Sequence, residues 1–191
     1  HWPDVELDIA SGFHFAPLPA LARGDLDLVI TADPVEELGL TYMPLFSYEA
    51  QLAIARDHDL VDRPWVEPAD LADETLICYP VDKSRLDVFS SFLEPAGVEP
   101  ARVRNAELTT MRVQLVASGR GVACLPNWAL HEYRERDYLA VKSLGEEGVW
   151  PVLYAAVRTD QADAPFILGF VDVAKRTCFR DLVGIVTAEL G

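Results

Sequence analysis

Residues 40–56, LTYMPLFSYEAQLAIAR, read as one long extended stretch whose apolar alternation weakens at Ser47-Tyr48-Glu49. A strand that loses its period partway along is expected to be leaving one lobe and entering another. Short apolar runs alternate with amphipathic stretches on both sides of it. Upstream, Val5, Leu7 and Ile9 alternate with acids and predict a half-buried strand ending at Ser11-Gly12. Pro17 to Arg23 predicts a short helix stopped by a left-handed Gly24, and Leu26, Leu28, Val29 and Ile30 predict a buried strand.

Downstream, a short helix is expected near Ala69 to Ala72 and a strand over Thr75 to Tyr79. Ser84 with Asp87 three residues on resembles a capping box, ahead of Leu86, Phe89 and Leu93 at helical spacing; Pro95 and Gly97 break that helix. Thr109 is expected to cap a helix carrying Met111, Leu115 and Val116, with Gly119 or Gly121 ending it. Val122 to Leu125 predicts a buried strand, Pro126-Asn127 a helix to about Glu135, Val152 to Val157 a strand, and Ile167, Phe170, Val171 and Ala174 a last helix. This alternation predicts an α/β fold.

Sixteen Lys and Arg face 31 Asp and Glu, so the 191-residue chain carries a formal charge of −15, which disfavours whole-chain attraction to nucleic acid or anionic membrane. No apolar run approaches the roughly 20 residues needed to span a bilayer, and no membrane partner is expected. Cys78, Cys124 and Cys178 are far apart and odd in number, which predicts reduced core thiols and a cytoplasmic protein. The cysteines and His1, His14, His58 and His131 show no regular ligand spacing, so no metal site is expected. The opening His1-Trp2-Pro3-Asp4 reads as the end of one element leading into a strand, as in a piece of a longer chain.

The junctions at Ser84 and Thr109 suit chemistry as well as capping. Free N–H groups at a helix start attract anions, and a hydroxyl adds a donor, so such junctions at the C-terminal edge of a parallel sheet are carboxylate sites. Capping alone would explain both hydroxyls equally well.

Four strings together carry a resemblance: Val5-Glu6-Leu7-Asp8-Ile9, Gly24-Asp25-Leu26-Asp27-Leu28-Val29-Ile30, Ala55-Arg56-Asp57-His58-Asp59-Leu60, and SGRGVACLP over 118–126. In order and spacing the chain resembles the effector-binding half of the LysR-type transcriptional regulators. Finer strings, among them Phe15 to Leu21, Tyr79-Pro80-Val81-Asp82-Lys83-Ser84-Arg85-Leu86-Asp87-Val88 and Leu153 to Arg158, resemble the branch that governs methionine biosynthesis.

The resemblance implies two Rossmann-like subdomains of the type 2 periplasmic-binding-protein fold, joined by two crossing strands, with an effector held between them. It places the first subdomain at residues 1–48 plus 160–191 and the second at 49–159. It further implies no cofactor, L-homocysteine as the effector, and a homodimer or tetramer with Thr110 to Ser118 and Asn127 to Glu135 as contact helices. DNA would be bound only through an N-terminal winged helix-turn-helix, which this sequence does not contain; nor does it contain the family's first effector-domain strand and helix. The residues expected at the effector are Ser11, Gly12 and Phe13 on one lobe, and Tyr79, Pro80, Ser84, Arg85, Thr109 and Pro126 on the other. Arg85 is expected to pair with a carboxylate if it turns inward, or with a neighbouring acid if it does not.

A solute-binding protein of the periplasmic type, taking a small anionic metabolite, shares the two-lobe design; three free thiols count against it. An enzyme on the same scaffold needs a nucleophile, a base and an orienting group. There is no Gly-x-Ser-x-Gly, and Cys78 and Cys124 lie in apolar runs expected to raise their pKa, so no catalytic residue is expected.

Overall fold

The computed structural model describes residues 5–10, 16–35 and 39–188. Its strands are β1 (Val29–Thr31), β2 (Leu40–Ser47), β3 (Ala50–Ile54), β4 (Thr75–Cys78), β5 (Arg102–Asn105), β6 (Ala123–Pro126), β7 (Ala140–Ser143) and β8 (Val152–Arg158). The α-helices are α1 (Pro17–Arg23), α2 (Thr109–Ala117), α3 (Asn127–Glu135) and α4 (Pro165–Asp181). The run at 40–56 is thus two strands with Tyr48 and Glu49 between them. The chain also divides there: one unit comprises His1–Ser47, Val152–Leu182 and Val186–Gly191, the other Tyr48–Pro151 and Val183–Ile185.

The first unit is built on an antiparallel sheet in the order β1-β8-β2. Pro17, lacking an N–H, suits the first turn of α1, and Gly24 ends the helix at φ 84°, returning its N–H to the helix carbonyls. Leu18 and Leu21 of α1 pack with Val29 and Ala156. The end of α1 is pinned from β8, because the Arg158 Nη1 donates to the carbonyls of Leu26 at 2.9 Å and Leu21 at 3.3 Å. Arg158→Met is expected to cost about 1–3 kcal/mol, since it leaves the Leu26 carbonyl without its donor at a half-buried site. A denaturant midpoint equal to that of the parent chain would refute this. In α4, Ile167 and Val171 are one turn apart and buried.

The second unit is more regular. Its β4 and β5 are parallel, β3 lies antiparallel between β6 and β7, and Leu76 of β4 pairs in parallel with Val122 just before β6. The spatial order is therefore β5-β4-β6-β3-β7. One sheet face buries Leu52, Ile54, Leu76 and Val122 against Leu71, Phe89, Phe92 and Leu93. The other buries Ala53, Ile77, Ala123 and Leu125 against Val113, Val116 and Leu130 of α2 and α3. Buried side chains of this size stabilise by about 1.5–3 kcal/mol each.

Several expectations need correction. Val5, Leu7 and Ile9 join no sheet among the described residues and are 47%, 74% and 86% exposed. Alternation yields a strand only where a neighbour accepts its N–H and C=O groups. Ser84 does not cap a helix: Asp82 does the capping, accepting from the Ser84 N–H at 3.0 Å and from its Oγ at 2.7 Å. The expected helix over Leu86 to Leu93 is a tight 3-10 turn at Lys83–Arg85, then a wide turn over Val88–Leu93 closed by the Glu94 N–H on the Phe89 carbonyl. Pro95 stops regular continuation. Thr109 is the first residue of α2 rather than its cap, and Leu108 in the cap position makes no side-chain bond. The strands β5, whose four residues are all exposed, and β7 carry no apolar run that would announce them.

Among the described residues no helix is long and apolar enough to cross a membrane.

Candidate functional site

The parallel strands β4 and β6 of the second unit end side by side, and the side chains expected to carry chemistry collect at that edge. Tyr79 and Pro80 follow β4 directly, Pro126 closes β6 and precedes α3, and Thr109 opens α2 just beyond β5. Ser84 and Arg85 lie in the turn after β4, where the Arg85 N–H donates to the Asp82 carbonyl at 3.1 Å. The Ser84 hydroxyl is committed to Asp82, and that pair of bonds holds the Asp82 carboxyl below its ordinary pKa, with the Arg85 charge adding to the effect. Ser11, Gly12 and Phe13 lie outside the described residues.

One side chain joins Thr109 to Tyr79, and it was not anticipated. Arg112 lies three residues into α2, on the same helix face as Thr109. Its Nη2 donates to Thr109 Oγ1 at 3.1 Å, and its Cζ sits 5.8 Å from the Tyr79 ring centroid, within cation–π range. Its Nε is buried and bonded to nothing. Among the described residues no carboxylate lies within ion-pair distance of this guanidinium. Burial pulls the Arg112 pKa down from its ordinary value, opposed by Cys78, Cys124 and Tyr79. A guanidinium stays charged in proteins, so this half-buried cation has donors to spare and no anion beside it.

Three further groups surround it. Tyr48, only 6% exposed, opens the second unit between β2 and β3. Burial raises its hydroxyl pKa, and the charges of Asp87 and Cys124 push the same way. Cys78 and Cys124 are both reduced. Burial raises the Cys78 pKa to about 11, with Arg112 and Lys83 opposing; the Cys124 pKa is raised more strongly by the same cause, with Asp87 adding. Cys124 keeps some exposed surface as a residue while its thiol is strongly desolvated. Asp87 also lines an open recess of about 290 Å³ with Ser91, Gly148, Val149, Trp150 and Pro151. The edge therefore carries a cation at Arg112 and an anion at Asp87. Among the described residues no group of three or more His, Cys, Asp or Glu comes together to hold a metal ion.

In hindsight Arg112 had a signal: an Arg at i+3 from the first hydroxyl of a helix that opens at a parallel-strand edge. Tyr48, Asp87 and the two cysteines had none, because their proximity depends on which strands neighbour each other.

A charged edge of parallel strands, with a helix start pointing at it, defines a ligand-binding domain of the α/β, periplasmic-binding-protein-like class. The profile of the LysR substrate binding domain matches residues 1–179, and the chain belongs to that family. It is 42% identical over 189 residues to the HTH-type transcriptional regulator MetR of Escherichia coli (strain K12), a match covering 99% of this chain and 59% of that protein. It is 36% identical over 190 residues to MetR of Haemophilus influenzae, covering 100% of this chain and 61% of that one. The regulatory domain of a MetR from N. meningitidis superposes with a TM-score of 0.87 at 37% identity, covering 98% of this chain and 87% of that one. The chain thus spans about three fifths of the full-length relatives, which are named as transcriptional regulators and not as enzymes. It is a LysR substrate binding domain similar in sequence and fold to the regulatory domains of MetR proteins.

Proposed function

We propose that this domain senses a small amino-acid metabolite, L-homocysteine, within a cytoplasmic regulator of methionine biosynthesis. The observation that carries this reading is Arg112, a half-buried guanidinium with an unbonded Nε and, among the described residues, no carboxylate in ion-pair distance. A ligand carboxylate supplies the missing anion, with Thr109 and the first N–H groups of α2 as further donors. Asp87, across the same edge, suits the ligand's ammonium group, and Tyr79 offers an apolar wall. The resemblance to MetR regulators supplies the identity of the metabolite.

In the intact regulator, a homodimer or tetramer, a winged helix-turn-helix would make the DNA contact. The effector changes the output only through unequal affinity for two conformations, so no covalent chemistry is required. Calorimetric titration should show saturable heat with homocysteine and weaker binding of methionine, cysteine and homoserine. Heat from another metabolite and none from homocysteine would overturn the choice of effector; no heat from any carboxylate ligand would overturn the reading of Arg112.

A further inference from the structure

The second unit also brings two thiols together that are 46 residues apart. Leu76 and Val122 pair in parallel, held by the Ile77 N–H on the Val122 carbonyl at 2.8 Å and the Val122 N–H on the Thr75 carbonyl at 2.9 Å. Two residues further along each strand, and therefore on the same sheet face, are Cys78 and Cys124. Cys78 belongs to the buried cluster that contains Leu52, Leu76 and Val122, and Cys124 packs against the same cluster, so their side chains share one side of the sheet. Neighbouring strands lie about 4.8 Å apart. Two metal–thiolate bonds of about 2.3 Å laid end to end span nearly the same distance.

We propose that Cys78 and Cys124 form a two-coordinate site for a thiophilic monovalent cation, Cu(I) being the type case, with Arg112 as its counter-charge. Soft thiolates select such ions over hard ones. On binding, each thiol loses its proton to solvent and forms one sulfur–metal bond, with no change of oxidation state. Two thiolates and one monovalent cation make a complex of net charge −1. Bare thiolates are costly among these buried apolar neighbours. The complex is less so, because it carries a single negative charge in place of two, and the Arg112 guanidinium, whose charge reaches both cysteines, offsets it against the Asp87 carboxylate that also acts on Cys124. Cys124 is the less buried of the two residues, and Cys78 is only 5% exposed.

The test uses the purified 191-residue chain under anaerobic conditions, titrated with Cu(I) against a chromophoric chelator and separately with Ag(I). One tight equivalent is expected. It should protect Cys78 and Cys124, but not Cys178, from alkylation as mapped by mass spectrometry. Cys78→Ala and Cys124→Ala should each weaken binding by about 100-fold, and the double variant should bind more weakly than either single one. Cys178→Ala should bind as the parent does. Protection of Cys178 instead, or undiminished affinity in either single variant, overturns the proposal. Because the protection experiment is read on the unsubstituted chain, it stands even if a variant folds poorly. Homocysteine binding plays no part in the readout, so failure here leaves the effector reading intact, and the reverse.

Discussion

Replacing Arg112 with Met is expected to lower homocysteine affinity by about 10- to 150-fold while leaving the folded state as stable as before or slightly more so. The first half follows from the strength of a hydrogen bond to a charged group, about 1.5–3 kcal/mol, at about 1.4 kcal/mol per decade of affinity. The second half follows from the state of the guanidinium without ligand. Its Nε is buried without a partner, and its one side-chain bond runs to Thr109 Oγ1. Removing a buried cation that has no anion costs little and can even stabilise. Arg112→Lys should fall between the two, because an ammonium keeps the charge but loses the planar fork. Calorimetry and a denaturant melt on the same variant separate the roles. A lowered melt with unchanged affinity would make Arg112 a packing residue and would sink the proposed site.

Gly121→Ala is expected to have the largest effect on stability, a loss of about 3 kcal/mol or more, enough to leave the second unit partly unfolded. Gly121 lies between α2 and β6 at φ 139°, where an L side chain is strained. A Cβ there would also collide with the Thr75 carbonyl oxygen and crowd Ile77 Cγ1 at 3.2 Å. That carbonyl accepts the Val122 N–H, the bond that joins β4 to the strand carrying β6. The substitution therefore strikes the joint on which the Cys78–Cys124 pairing and the shared edge depend. Gly119→Ala is the control: its φ of 65° also favours glycine, but nothing lies within 4 Å of a Cβ there. A Gly121→Ala chain melting with the parent would show that β4 and β6 can separate at no cost.

Local patterns were dependable where the information is local. The helix at Pro17–Arg23 with its glycine stop, the break at Ser47–Glu49 and the last helix follow from proline, glycine and apolar spacing within a few residues. Capping was less legible, because several residues in a turn compete for the same N–H groups. Asp82, two residues before Ser84, is the capping acceptor, and Ser84 donates both its N–H and its hydroxyl to it. At Thr109 the hydroxyl accepts from a side chain in place of the backbone. Strands β5 and β7 were invisible because an edge strand with exposed or half-exposed side chains needs no apolar alternation; its backbone is held by its neighbour.

What the order of residues determined by itself was the class of fold, the family and local structure such as the helix start at Thr109, the turn after Tyr79 and the end of a strand at Pro126. These rest on patterns shorter than one element or on strings that match in sequence. What only the tertiary structure decided was which of these charges and thiols meet. Arg112 meets Tyr79, and Cys124 comes beside Cys78, because β4 and β6 are spatial neighbours, and strand order is a property of the folded sheet with no trace in the spacing between 78 and 124.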